Sequence, residues 1–144
     1  MNLNFSISEL CKSDTARKNG IANIPQSLDI YDNLLVLIAD FLQPLRNKLN
    51  KPIVITSGYR CDRLNKLVGG TINSEHTKGY AVDICVPGMS IKDLFIYIVN
   101  SGLKWTQLIE EHSGNSTWVH ISYNRKNLKC QKLKYVNGTY TNFT

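Results

Sequence analysis

The stretch Ser74-Glu75-His76-Thr77-Lys78-Gly79-Tyr80-Ala81-Val82-Asp83 sets a histidine and a carboxylate seven positions apart with a glycine near the midpoint. Extended chain of that length would carry the two side chains up to roughly 23 Å apart. Two helical turns would still hold them about 10 Å apart. Neither regular path lets both reach one ion, so the chain must double back between them. Gly79, following Lys78, accepts the positive φ of such a return. After the turn, Tyr80-Ala81-Val82-Asp83-Ile84-Cys85-Val86 has the composition of a strand, which sets Asp83 on a rigid element.

Outward from this stretch, Trp118-Val119-His120-Ile121-Ser122-Tyr123 alternates. Val119, Ile121 and Tyr123 fall on one face, Trp118, His120 and Ser122 on the other. His120 can then face a cleft while its neighbours build the core. His76, Asp83 and His120 together form a ligand set for a catalytic zinc ion, because three protein ligands leave one coordination position for water.

The remaining pattern predicts an α+β chain. Ser6-x-x-Glu9 is a capping box, and Ser13-Asp14 opens a second helix that Gly20 stops. Pro25-Gln26-Ser27 begins the longest helix, with Ile30, Leu34, Leu37, Ile38, Phe41, Leu42 and Leu45 at helical spacing and a kink expected at Pro44. Ile53–Thr56 reads as a strand, Cys61–Leu67 as a helix ending at Gly69-Gly70, and Ser90-x-x-Asp93 as the cap of a helix through Val99 closed by Gly102. Strands near Gln107–Glu111 and Trp118–Tyr123 follow. Asn137-Gly138 signals a type I′ hairpin in the segment Leu128–Phe143. No repeat, linker or low-complexity segment interrupts this order. The expected architecture is one compact domain over residues 1–144, with a small, mostly antiparallel sheet, helices packed on one side and the zinc cleft on the sheet.

Composition is consistent with that expectation. The chain has 144 residues, 42% of them hydrophobic, enough for one sizeable core. Seventeen Lys and Arg against eleven Asp and Glu give a net charge of +6. The excess suits anionic polymers, and cell-wall peptides and teichoic acids qualify as well as nucleic acid does. The basic residues are scattered apart from a loose group at Arg125, Lys126, Lys129, Lys132 and Lys134, read as a solvated surface. The cysteines at 11, 61, 85 and 130 show no Cys-x-x-Cys pair, a disulfide framework is disfavoured at this chain size, and Cys85 is read as a small core residue. The start lacks the charge and apolar run of a signal peptide, and no stretch reaches eighteen consecutive apolar residues. Synthesis in the cytoplasm and no stable membrane association are the expectation. The Asn-x-Ser/Thr sites at Asn115, Asn137 and Asn142 are then chance matches.

Ser57-Gly58-Tyr59-Arg60, Leu64-Asn65, Val68-Gly69-Gly70, Ser74-x-His76-x-x-Gly79-x-Ala81-x-Asp83, Gln107-Leu108-Ile109-x-Glu111 and Trp118-Val119-His120 occur in that order. This pattern resembles the small zinc peptidases of bacterial cell walls: D-alanyl-D-alanine carboxypeptidases, vancomycin-resistance D,D-dipeptidases and phage L-alanyl-D-glutamate endolysins. The hedgehog signalling domain is a distant relative. Phe5-Ser6-x-x-Glu9-Leu10 and Ser13-Asp14-Thr15-Ala16 are similar to the short phage and bacterial members, so the resemblance covers nearly the whole chain. It implies a zinc-dependent peptidase with peptidoglycan stem peptides as substrate, no nucleic-acid partner and a monomeric state. The lean is toward a lysin that reaches the wall after membrane permeabilisation. A non-catalytic binding domain of the same fold is the alternative.

Such a reaction needs a base for the attacking water, and Glu110 and Glu111 are the neighbouring candidates. On a strand they face opposite ways. Alternation does not choose between them, because Leu108 and Ile109 are equally apolar. The resemblance does, since its acid/base position falls on Glu111 and leaves Glu110 as a solvent-facing strand residue. The dipeptidase branch carries its base three residues before the final histidine, where this chain has Thr117, so that branch is the weaker match. Arg60, after a strand and a turn, is a candidate to hold a peptide carboxylate or to stabilise the developing oxyanion, against a structural ion pair with Asp62 or another acid. Ser74 is read as binding substrate or shaping its loop, Glu75 as exposed, and His112 as part of a solvated loop through Thr117.

Overall fold

The computed structural model describes residues 3–143. Four serines start helices as their positions predict: Ser6, Ser13, Ser27 and Ser90 each accept, through Oγ, the backbone N–H three residues ahead at 3.0–3.2 Å. They open α1 (Ile7–Leu10), α2 (Asp14–Lys18), α3 (Leu28–Leu37) and α6 (Ile91–Val99) respectively. Between α3 and α4 (Gln43–Leu49) the helix widens into a π turn at Ile38–Leu42. Pro44 explains it: the ring has no N–H to give to the carbonyl of Asp40 and would crowd that oxygen in a regular α turn. The expected kink is therefore a local change of helical pitch. Leu34, Leu37, Ile38, Phe41, Leu42 and Leu45 are buried along it. Asn50 ends the helix with φ 53°.

The strands are β1 (Val54–Ser57), β2 (Ala81–Cys85), β3 (Gln107–Ser113), β4 (Ser116–Ser122), β5 (Gln131–Val136) and β6 (Thr139–Asn142), in the sheet order β1-β2-β4-β3-β5-β6. Neighbours are antiparallel except β3 and β5, which run parallel because residues 123–130 carry the chain past β3 before it re-enters the sheet. The turn between β5 and β6 has φ 45° at Asn137 and 97° at Gly138, the two positive angles of the type I′ hairpin signalled in the sequence. Helix α5 (Asp62–Leu67) and a 3-10 turn (Glu75–Lys78) lie between β1 and β2.

One face of the sheet makes the core. Val82, Ile84, Leu108, Val119 and Ile121 are fully covered there, packed with Leu94, Phe95 and Ile98 of α6. Phe41 meets Tyr123 at the end of β4 with ring centroids 6.4 Å apart. The α+β layering is thus as expected, with helices covering the side that alternation assigned to Val119, Ile121 and Tyr123. Two local expectations are corrected. Cys85 is only partly buried, because it shares the open face with Asp83 two residues earlier; Cys61 is the buried cysteine. His112 lies on β3 rather than in a loop, since β3 and β4 stay paired out to Ser113 and Ser116. All four cysteines are free.

Candidate metal centre and cleft

The open face carries the chemistry, and strand register decides who meets there. Asp83 pairs with His120 across β2 and β4, and His120 with Ile109 across β4 and β3, so their side chains project from the same face. His76 arrives from the 3-10 turn. Gly79 ends that turn at φ 77°, and a Cβ there would lie 2.7 Å from the carbonyl oxygen of Ile30. The sequence requirement for a return between His76 and Asp83 is met by a residue that admits no side chain.

Ligand atoms from His76, Asp83 and His120 all lie within 4.8 Å of one another. Oδ1 of Asp83 is 3.4 Å from Nε2 of His76 and 3.0 Å from Nδ1 of His120. For metal–ligand bonds of about 2.0–2.1 Å, the edge of a tetrahedron is about 3.3 Å, so this spacing fits zinc. The other ring nitrogens are held from behind. Nδ1 of His76 donates to the Gly58 carbonyl at 2.8 Å, which leaves Nε2 with its lone pair toward the centre. Nε2 of His120 lies 3.9 Å from Oε1 of Glu75. Glu75 is therefore partly buried beside His120, not an exposed loop residue; its neighbour His120 is distant in sequence, so no local pattern announces it.

Electrostatics in the metal-free cluster follow from burial and close pairing. Burial opposes charge on His120, but the bonds to Asp83 and Glu75 outweigh it and push the imidazole up to about 10. Burial would raise Asp83, yet the charges and hydrogen bonds of His76 and His120 hold its carboxyl far below the usual range. These are the reciprocal signs of a carboxylate that keeps a proton on its partner, and a cation can take that proton's place.

Glu111 and Glu110 separate cleanly. Glu111 shares the open face with the three candidate ligands, and its Oε1 is 3.9 Å from Nδ1 of His120. Burial raises its carboxyl above the ordinary value, with Asp83 adding to the rise and His120 and Arg60 opposing it. A raised carboxyl is a better proton acceptor than an ordinary one. Glu110 points to the other face and is 3% exposed, hydrogen-bonded to Nε2 of His112 at 2.6 Å and 3.7 Å from Lys134. The expected solvent-facing Glu110 is thereby corrected: β5 and the side chain of His112 cover it, and both partners offset the cost of burying its charge.

A cleft of about 760 Å³ opens beside the centre, with Thr15, Ser57, Arg60, Asp83, Thr117 and Trp118 among its walls. Arg60 makes no ion pair with Asp62. Its side chain reaches Oγ of Ser74 at 3.4 Å, its Nε is buried with no partner, and burial lowers its pKa against the pull of Asp83 and Glu111. A guanidinium left underused beside carboxylates is available to a substrate oxygen. Ser74 spends its Oγ on the N–H of His76 and on Arg60, which shapes the loop that delivers His76. The Ser57–Arg60 turn is itself clamped by Asn23, whose amide donates to the carbonyls of Cys11 and Tyr59 at 2.8 Å and accepts from the N–H of Cys61 at 2.8 Å. Asn23 was not singled out in the sequence, because an isolated Asn before a helix carries no signal of long-range partners.

A family model described as Peptidase M15 matches residues 3–122. No curated protein matches the chain.

Proposed function

The chain belongs to the peptidase M15 family and is a metallopeptidase, and from that premise we propose that it hydrolyses a peptide bond in the stem peptides of bacterial peptidoglycan with zinc as its metal. The observation that carries the reading is the convergence of His76, Asp83 and His120, whose ligand atoms all lie within 4.8 Å of one another, with Asp83 Oδ1 3.4 Å from His76 Nε2 and 3.0 Å from His120 Nδ1 and with His76 held through its other nitrogen by the Gly58 carbonyl. A zinc ion held by these three residues supplies Lewis acidity and lowers the pKa of a water toward about 7.

The chain's own groups do the rest. Glu111 takes the proton of the attacking water and returns it to the leaving amine, a role suited to its raised carboxyl and open-face position. Arg60 holds a substrate carboxylate or the oxyanion that develops on the scissile carbonyl, from its place in the wall of the cleft. Ser74 keeps Arg60 and His76 in place from the same loop. The peptide lies in the cleft beside Trp118 and the Ser57–Arg60 turn. Place of action follows from the substrate: the cell wall, reached after the membrane has been permeabilised. Among the described residues no helix is long and apolar enough to cross a membrane.

Digestion of purified peptidoglycan, followed by mass spectrometry of the fragments, tests the proposal. Release of terminal D-Ala identifies a carboxypeptidase, and cuts inside the stem peptide an endopeptidase. A zinc-loaded protein that leaves the polymer unchanged would turn the reading to a non-catalytic binding domain.

A further inference from the structure

The hairpin β5–β6 lies outside the residues matched by the family model and widens the catalytic face of the sheet. Its register is informative. Glu111 pairs with Trp118 on one side and with Tyr135 on the other, and Tyr135 pairs with Tyr140. Paired residues project from one face, so Trp118, Glu111, Tyr135 and Tyr140 form a row across four strands, directly beside the row that holds His120 and Asp83. The tyrosine rings are 4.8 Å apart at 57°, and Tyr140 is 58% exposed. Burial and then the charges of Glu111 and Tyr135 raise the phenol of Tyr140, which shows how near the row is to the proposed base.

Two sides of Glu111 differ in chemistry. On the Trp118 side the cleft is charged, with Lys12 and Arg60, which suit the carboxylates of a stem peptide, beside Asp14 and Asp83. On the hairpin side the same face presents Gln131, Leu133, Tyr135, Tyr140 and Asn142, with no charged side chain. Alternation sends Lys132 and Lys134 to the opposite face. An exposed tyrosine packed on a half-buried one and flanked by amides matches a neutral ligand that has both apolar ring faces and hydroxyl or acetamido groups.

We propose that Tyr135 and Tyr140 form a subsite for an N-acetylated sugar ring of the glycan strand, which holds the substrate beside Glu111 by ring stacking. The inference rests on the peptidoglycan reading above and deepens it. Strands lie about 4.8 Å apart, so the two tyrosines stand roughly one and two strand spacings, about 5 and 10 Å, from Glu111. A sugar held there puts the first peptide bonds of the stem, not its far terminus, at the centre. The geometry thus selects an endopeptidase that cuts close to the glycan.

The test compares a disaccharide-peptide with the free peptide of identical sequence. For the wild type, kcat/KM should be higher on the disaccharide-peptide, and Tyr140→Ala or Tyr135→Ala should lower the ratio of the two values about tenfold, mainly through KM. Tyr140→Phe, which keeps the ring, should retain most of the ratio. Independently, Glu111→Ala protein titrated with the tetramer of N-acetylglucosamine should show saturable changes in tyrosine ring NMR signals that Tyr140→Ala abolishes. An unchanged ratio in both alanine variants, or no saturable binding of the tetramer, overturns the subsite. If neither peptide is cleaved, the peptidase reading fails, while the tetramer titration still decides the sugar subsite by itself.

Discussion

Oε1 of Glu111 stands 3.9 Å from Nδ1 of His120, whereas the carboxylate of Glu110 turns through the sheet to His112 at 2.6 Å. One peptide unit separates a group poised at the proposed centre from a group sealed against the opposite face. Glu111→Gln should therefore keep metal and fold while lowering kcat by about a hundredfold or more, within or above the usual range for a general acid-base group. Glu110→Gln should keep most of its turnover and lose stability, because His112 and Lys134 would lose a buried anionic partner. Turnover and thermal unfolding of the two variants check this, and the opposite ranking would assign the base to Glu110.

Metal content is a separate matter. Carefully prepared protein should hold one zinc per chain, and His76→Ala or His120→Ala should lose it. Because zinc binds the folded cluster, a chelator should lower Tm, by the equivalent of about 2.7 kcal/mol if free zinc had stood at a hundred times its Kd. Elemental analysis with and without added zinc, alongside thermal unfolding, gives the answer; native protein that takes up no metal would defeat the assignment of the three ligands.

Arg60→Lys should reduce activity at unchanged metal content, since an ammonium cannot reproduce the planar fork that Arg60 sets in the wall of the cleft. Steady-state kinetics assigns the role. A rise in KM at constant kcat means carboxylate binding, and a fall in kcat means oxyanion stabilisation. Unchanged kinetic constants would return Arg60 to a purely structural part.

Asn23→Ala removes three hydrogen bonds that join the amino-terminal segment to the Ser57–Arg60 turn. Leaving buried backbone groups unpaired should cost about 3 kcal/mol of stability. The denaturation midpoint in urea reads it, and a loss below about 1 kcal/mol would mean that water replaces the amide without penalty.

Acid dependence has an identifiable contributor at Asp40, exposed by the π turn to Arg125. The hydrogen bond from Arg125, at 2.7 Å, together with its charge and Tyr123, holds the carboxyl below its ordinary 3.8 despite some burial. A depressed carboxyl stabilises the fold above its unfolded pKa and loses that contribution as pH falls through the folded value. The Tm difference between wild type and Asp40→Asn should thus be constant near neutrality and shrink as pH drops below about 4. A difference that persists unchanged to pH 2 would show that the pair contributes nothing through charge.

The residues that could be read from sequence are those whose meaning is local. Serine caps, the Asn137-Gly138 turn and the glycine that lets His76 and Asp83 converge depend on φ angles and hydrogen bonds within a few residues, so the order of elements and the convergence of His76 with Asp83 were legible. Alternation also placed His120 and Val119 on opposite faces correctly. It could not say which face of β3 would be covered, because Leu108 and Ile109 look alike. That was decided by packing: α6 covers the face of Leu108, and the parallel pairing with β5 brings Lys134 beside Glu110 and Tyr135 beside Glu111. Glu75 behind His120 and Asn23 behind the Arg60 turn are likewise long-range contacts. Sequence alone determined which side chains could form the centre, since spacing and turn chemistry are properties of short segments. Tertiary structure decided which carboxylates face it and which are sealed away, since a strand has two equivalent faces until its neighbours bury one.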